Sequence, residues 1–219
     1  MSFDWGVIYL YRYELLLGLQ NTVMLVVVAM VLGVIAGAVA CFGRLLGKGP
    51  MFWLSTFYVN TFRAIPETVL VFWIYFCGPF IFTFKPNAWD TGILSMSLVA
   101  GAYFAEIARA GIQSVSRGQW EAGRALGISE FWLWTDIVIP QAVRAMLPAS
   151  ALLVTNLVKM SGLVSVVGVA ELIYQAQTLG SLRFRYFEFF TVVAIIYFLL
   201  IFPFSMASRA IEAHLDRRK

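Results

Sequence analysis

Five long apolar segments, separated by short polar stretches, dominate the hydrophobic pattern of the chain. We place them at residues 16–42, 52–80, 93–113, 137–158 and 189–208. Each of them reaches the roughly 20 residues that an α-helix needs to cross the hydrocarbon core of a bilayer. Apolar residues run continuously through residues 25–40, whereas the strands of a membrane barrel alternate apolar and polar residues. The pattern predicts an all-α membrane protein with about five transmembrane helices.

The composition supports this prediction. Of the 219 residues, 61% are hydrophobic and 13% are charged, and the mean hydropathy is +0.82. Soluble domains carry about 25% charged residues. The net charge of +4 could suggest a nucleic-acid partner, but the basic residues cluster at the ends of apolar segments. We therefore expect a lipid bilayer, and no nucleic acid, as the surroundings of this chain.

Lysine and arginine residues beside the apolar segments predict the orientation, because such residues favour the cytoplasmic side. One side of the membrane would carry Arg44, Lys48, Arg117, Arg124, Arg209, Arg217, Arg218 and Lys219. The other side would carry Arg12, Lys85, Lys159, Arg183 and Arg185. The first set is larger, although Arg183 and Arg185 weaken the contrast. We predict an external N-terminus, a cytoplasmic C-terminus and a cytoplasmic loop at residues 114–136.

That loop contains a polar stretch, EAGRALGISEFWLWTDIVIP, at residues 121–140. Its sequence predicts a short helix at about 117–128, with Gly127 as a stop signal. One interpretation is an interfacial helix, because tryptophan suits the headgroup depth; the candidates are Trp120, Trp132 and Trp134. The other interpretation is a docking helix for a soluble partner, whose close approach the small side chains would allow. The residues alone leave both interpretations open.

The same stretch resembles the EAA motif in permease subunits of bacterial ABC importers. The matching residues are Glu121, Ala122, Gly127, Ile137 and Pro140, and Gly123 stands where the family usually has alanine. Four segments, one of which contains the EAA region, resemble the polar-amino-acid subfamily, the histidine and glutamine permease group, and they occur in the family's order. These segments are FRAIPE (62–67), AYFAEIARAGIQSVSRGQWEAGRALG (102–127, which includes the EAA region), VIPQAVRAMLP (138–148) and LVSVVGVAEL (163–172).

The resemblance implies a single type I importer transmembrane domain over residues 1–219, in the bacterial inner membrane. It implies ABC ATPase subunits, a second permease subunit (identical or related) and a periplasmic amino-acid-binding protein as partners. The substrate would be a polar or charged amino acid or a derivative of one. The helix at 117–128 would couple the chain to the ATPase; the residues assigned to this contact are Glu121, Ala122, Gly123, Arg124, Leu126 and Gly127.

The chain itself lacks a phosphate-binding loop. GRLLGKG at residues 43–49 has one residue too few for the G-x-x-x-x-G-K-[ST] motif, and Gly49 stands where serine or threonine is required. We therefore predict no enzymatic activity and no bound cofactor for this chain. ATP and Mg²⁺ would be used by the partner ATPase.

Charged residues inside apolar segments are costly and face a pathway or each other. Glu106 and Arg109, three residues apart, are predicted to form a structural pair. Arg63 and Glu67 could pair likewise, but Pro66 interrupts the helix beside them. An interrupted helix within the membrane is typical of a transport site. Our hypothesis is that Glu67 binds a positive group of the substrate, with Arg63 as its alternative, structural partner.

The end of the fourth segment supplies two more candidate substrate contacts, Lys159 and Ser161. The family often has lysine, aspartate and two small hydroxyl residues here, and the aspartate is a candidate ligand for basic substrates. This chain has Met160 in place of the aspartate, which weakens the inference of a basic substrate. Residues 169–180 are predicted to form a short outer helix, and Cys41 and Cys77 are interpreted as inert core residues.

Rival classes fit the sequence less well. An ion-coupled secondary amino-acid transporter, the main alternative, usually has internal repeats, and we find none. A membrane enzyme would need a nucleophile with a base or a cluster of histidines and acids, but the chain has one histidine. A scaffold protein would need neither Glu67 nor the long polar loop.

Overall fold

The computed structural model describes residues 4–45, 49–81 and 86–216, without the side chains of 212–216. Within these ranges every regular element is a helix. Lys48, Lys85 and residues 217–219, on which part of the predicted orientation depends, lie outside the described residues.

The helices follow one another with short connections. The first half contains α1 (Gly6–Leu10), α2 (Arg12–Leu45), α3 (Pro50–Ala64), α4 (Glu67–Phe72), a π-helical turn (Trp73–Cys77), α5 (Gly78–Ile81) and α6 (Ala88–Gln113). The second half contains α7 (Arg117–Ala125), α8 (Glu130–Trp132), a π-helical turn (Leu133–Val138), α9 (Ile139–Ser161), a 3₁₀ helix (Gly162–Val167), α10 (Leu172–Arg183) and α11 (Tyr186–Asp216).

Among the described residues, four helical stretches are long and apolar enough to cross a membrane, and a bent pair makes a fifth candidate. The four are Arg12–Leu45, Ala88–Gln113, Glu130–Val167 and Tyr186–Ile211; the pair is Pro50–Ala64 with Glu67–Ile81. The prediction of about five membrane helices in an all-α protein is therefore confirmed. The second predicted span is two helices at 108° to each other instead of one continuous helix.

The bend has a local cause in the sequence. Pro66 lacks the amide proton of a helical residue, and its ring disfavours the helical conformation at the preceding residue. Ile65 accordingly adopts an extended backbone (ψ 131°), which ends α3 at Ala64. Pro66 then precedes α4, and its carbonyl accepts a hydrogen bond from the amide of Leu70 at 3.1 Å. The chain thus changes direction directly before Glu67.

Small residues bring α2 and α6 into close contact. A methyl group added at Gly33 would overlap Ala100, and one added at Gly37 would overlap the carbonyl of Gly101. Glycines four residues apart on one helix are a common device for close packing in membranes, where lipid offers no hydrophobic driving force between helices. α3 and α9 each pack against both of these helices, whereas α11 packs on α9 and α10.

The main core lies between α2, α6, α9 and the 3₁₀ helix. Leu25, Met96, Leu157 and Val164 are almost completely buried there. α10, which falls in the region predicted to be a short outer helix, packs with Leu172 against α11. The interpretation of both cysteines as core residues is correct only for Cys41, because Cys77 is exposed at the end of its π-helical turn.

Candidate functional site

A cavity of about 420 Å³ opens beside the bend between α3 and α4. Residues from α4, α6, α9 and the 3₁₀ helix line it: Glu67, Val99, Tyr103, Leu153, Asn156, Leu157, Lys159, Met160 and Leu163. The lining holds one acidic and one basic side chain, and apolar residues form most of the remainder. Two of the three predicted substrate contacts, Glu67 and Lys159, thus meet in one cavity.

Glu67 is the first residue of α4, immediately after the bend. None of the five ion pairs found among the described residues includes it. The structural alternative, a pair with Arg63, is therefore wrong. The rule that residues four apart face each other holds only in a continuous helix, and the helix is broken between these two residues.

Arg63 contacts other groups. Its Nη1 lies 3.6 Å from Oε1 of Glu106, and its guanidinium lies over the ring of Tyr103 at 5.5 Å from the centroid. Since Tyr103 also lines the cavity, Arg63 supports one wall of the cavity from outside.

Lys159 and Asn156 lie on one face of the last turns of α9, three residues apart, and both line the cavity. Lys159 also belongs to none of the ion pairs in the described part of the chain. Asn156 and Tyr103 were not expected from the sequence. Asn156 could have been found, because residues three apart share a helical face and Asn156 lies three residues before Lys159.

Ser161, the third predicted contact, is not among the residues that line this cavity. Its side chain is buried, and its hydroxyl donates a hydrogen bond of 2.7 Å to the carbonyl of Val158. The oxygen of the Tyr197 hydroxyl lies 3.4 Å away. The structure thus places Ser161 in the packing between α9 and α11.

Glu106 is surrounded by three arginines. Arg109 donates from Nη2 and Nε to one carboxylate oxygen at 2.7 and 3.1 Å, which confirms the predicted pair. Arg44 donates to the other oxygen, and Arg63 lies nearby. Because these arginines come from α2, α3 and α6, the cluster ties three helices together. We refer to Glu106, Arg44, Arg63 and Arg109 as the arginine cluster.

A fully buried carboxylate, Glu171, was also not expected from the sequence. Its side chain has no exposed surface. It accepts hydrogen bonds from the amide of Tyr174 (2.7 Å), the hydroxyl of Tyr197 (3.1 Å) and the hydroxyl of Thr22 (3.5 Å). Glu171 therefore caps α10 and joins it to α2 and α11.

The predicted docking helix corresponds to α7, at Arg117–Ala125. Its end is a Schellman motif: the amide of Ile128 donates to the carbonyl of Gly123 at 3.1 Å, and that of Gly127 donates to Arg124 at 3.0 Å. The motif requires a left-handed residue, which glycine adopts without a steric penalty, and Gly127 has a φ of +70°.

One face of α7 packs on the rest of the protein, and the other is open. Gly123 is buried against Leu133, so that an added methyl group would collide with that side chain. The other five residues assigned to the coupling contact are exposed, and Leu126 is 79% exposed. Trp120 packs edge-to-face on Trp134, with 5.0 Å between the ring centroids. Of the three tryptophans in the interfacial interpretation, only Trp132 is exposed.

A bundle of apolar helices with a charged cavity beside a broken helix defines a multi-pass membrane transport protein. Comparison with known protein families identifies the kind of transport protein. Residues 15–219 match the model of the family described as the binding-protein-dependent transport system inner membrane component, and the chain belongs to this family. It is thus a transport subunit of the bacterial inner membrane.

Relatives are similar to this chain over most of its length. It is 31% identical over 186 residues to a putative glutamine transport system permease protein of Rickettsia typhi, an alignment that covers 85% of both chains. It is 30% identical over 198 residues to the arginine transport system permease protein of Bacillus subtilis, covering 90% of both.

Two solved structures extend the comparison. An amino acid ABC transporter crystallised with histidines matches with a TM-score of 0.89 and 32% identity, and the match covers 98% of this chain and 100% of that chain. The inward-facing MetNI methionine ABC transporter has a TM-score of 0.77 at 19% identity, covering 93% and 97% of the two chains. The second match supports the fold alone.

Proposed function

We propose that this chain is the permease subunit of an ATP-driven importer that carries a polar or charged amino acid, or a derivative, through the cavity at Glu67 and Lys159. One observation carries the proposal. Two side chains of opposite charge line one cavity, and neither belongs to an ion pair among the described residues. An amino acid supplies the two missing partners, an ammonium and a carboxylate.

The energetics support this assignment. A charged side chain within the membrane costs about 2.5–3.5 kcal/mol even on insertion scales. Such a cost is tolerated when a partner compensates it, and a charge-assisted hydrogen bond in a dry cavity is strong. The names of the relatives, which refer to glutamine and arginine transport, agree with an amino-acid substrate.

The energy would come from a separate ATPase that docks on α7, and a periplasmic binding protein would deliver the substrate. The open face of α7 supports the docking interpretation, since it presents Glu121 and Leu126 outside the bundle. An ion-coupled secondary transporter, the alternative considered from the sequence, fits less well because the family is one of binding-protein-dependent systems.

The transport site is tested with the purified transporter reconstituted in liposomes, together with its ATPase and binding protein. We expect Glu67→Gln to lower amino-acid uptake about 10- to 100-fold, because a charge-assisted hydrogen bond contributes about 1.5–3 kcal/mol. ATPase activity stimulated by the binding protein should persist, which shows that the complex still assembles. Normal uptake by this variant would refute the site.

The docking interpretation is tested on α7. We expect Glu121→Lys or Gly127→Asp to leave the chain inserted but to uncouple ATP hydrolysis from uptake. Glu121→Gln is the milder control, since it removes the charge without reversing it. Normal uptake by both disruptive variants would exclude α7 as the coupling element.

Docking also requires α7 to face the cytoplasm, with the N-terminus outside and the C-terminus inside. In a chain whose exposed Cys77 is first replaced by serine, a cysteine at Ser129 should be labelled only after permeabilisation, and one at Asn87 in intact cells. Because Asn87 caps α6 through the amide of Asp90 at 2.8 Å, Ala88→Cys is a second external site that keeps the cap. The opposite pattern would invert the orientation.

A further inference from the structure

We propose that the cavity selects amino acids with an uncharged side chain and disfavours both cationic and anionic ones. This inference rests on the proposed transport function and concerns the substrate class of the same site. It follows from the charges available in the cavity and from the chemistry of the remaining lining.

The charges in the lining match the two charges of an amino-acid backbone. Glu67 can bind the α-ammonium group, and Lys159 can bind the α-carboxylate. They are the two charged residues among those that line the cavity. Once both are bound, the described residues of the lining offer no carboxylate for a cationic side chain and no cation for an acidic one. A third charge would therefore enter without a partner.

Arg63, whose guanidinium lies against the cavity residue Tyr103, already has other contacts. Arg63 lies over the ring of Tyr103 and within 3.6 Å of the carboxylate of Glu106. Glu106 in turn is bound by Arg44 and Arg109. The carboxylate of the arginine cluster is therefore already paired and is not available to a cationic substrate. Its guanidinium groups are paired as well and are not available to an anionic one.

The remaining lining suits an uncharged side chain. Val99, Leu153, Leu157 and Leu163 offer aliphatic surface, and Met160 offers a thioether. The amide of Asn156 and the hydroxyl of Tyr103 are neutral hydrogen-bonding groups, so they can serve an amide or a hydroxyl on the substrate. A charged side chain bound among these groups would lose its hydrating water and gain no ionic partner, which is unfavourable.

Met160 makes the inference testable by gain of function. It follows Lys159 directly and lines the same cavity, yet its side chain is uncharged. A carboxylate at this position would add a second negative group to the cavity and supply the partner that a cationic side chain lacks. The preference of the cavity should then shift towards arginine and lysine.

The first experiment measures equilibrium binding of labelled glutamine, leucine, arginine, lysine and glutamate to the reconstituted transporter in nanodiscs. The binding protein is omitted, so that its own selectivity does not contribute. We expect glutamine or leucine to bind at least about tenfold more tightly than arginine, lysine or glutamate, the factor that one charge-assisted hydrogen bond provides. Equal or tighter binding of a charged amino acid overturns the inference but leaves the transport function intact. Absence of binding and of uptake for every amino acid overturns the proposed function as well.

The second experiment compares Met160→Asp with Met160→Asn. The asparagine side chain has nearly the same shape as aspartate but carries no charge. We expect Met160→Asp to raise the ratio of arginine to glutamine affinity at least about tenfold, and Met160→Asn to leave the preference for glutamine in place. If Met160→Asp does not fold, Leu163→Asp with Leu163→Asn tests the same point from the adjacent wall. An unchanged ratio in the folded aspartate variant, or the same shift in the asparagine variant, would overturn the inference.

Discussion

Two carboxylates in the apolar helices, Glu106 and Glu67, have opposite surroundings. Glu106 contacts three arginines, whereas Glu67 has no ion pair in the described structure and lines a cavity. Both residues would carry the same cost of placing a charge in lipid. Within the protein, the arginine cluster compensates the cost for Glu106. For Glu67 the compensation has to come from a molecule that enters the cavity.

The comparison shows how to separate structural from functional charges in a membrane bundle. Hydrophobicity and position in the chain do not distinguish these two residues, because each lies in an apolar segment beside an arginine. The contacts distinguish them. A paired charge holds helices together, and an unpaired charge in a cavity is available to a ligand.

The largest effect is expected from Glu106→Gln. The substitution leaves three arginines without a carboxylate, and losing a hydrogen-bonded carboxylate that is partly buried, with 18% side-chain exposure, costs about 1.5–3 kcal/mol. Thermal unfolding of the purified protein in detergent should show this loss. Glu67→Gln is the matched control, with the same change of atoms, and should not destabilise the protein, because it removes a charge that has no ion pair among the described residues. Equal destabilisation by both variants would remove the distinction between the two carboxylates.

An intermediate effect, on transport instead of stability, is expected from Lys159→Gln. This variant should fold normally and lose uptake about 10- to 100-fold, as one charge-assisted contact would predict. Arg44→Gln is its counterpart in the arginine cluster and should lower the unfolding temperature. A normal uptake rate in folded Lys159→Gln would place the substrate elsewhere.

The smallest effect is expected from Arg63→Gln. Its ion pair with Glu106 is long, at 3.6 Å, and the Arg63 side chain is 41% exposed. Pairs of this kind contribute about 0–1 kcal/mol, so expression and unfolding temperature should change little. A collapse of expression would mean that Arg63 is a principal structural partner, and the contrast between the two regions would then need another explanation.

Much of the fold follows from sequence pattern because membrane helices obey strong local rules. Apolar length predicted about five spans, Pro66 predicted an interruption of the second, and the spacing of Glu106 and Arg109 predicted their pair. Gly127 was recognised as a helix stop, and its left-handed conformation supplies the reason. Each of these features depends on residues that lie close together in the sequence, within the length of one span.

The sequence by itself thus determined the membrane class and the approximate spans. It also indicated three candidate substrate contacts, of which two line the cavity. Only the tertiary structure decided which charges are paired. The partner of Arg63 is 43 residues away in the sequence instead of four, because the bend at Pro66 turns Glu67 away from it. Likewise, Ser161 lies two residues from Lys159 but on a different face of α9, where it donates to Val158 instead of lining the cavity. Which side chains meet across helices depends on packing and crossing geometry, and these physical determinants are not encoded in local spacing.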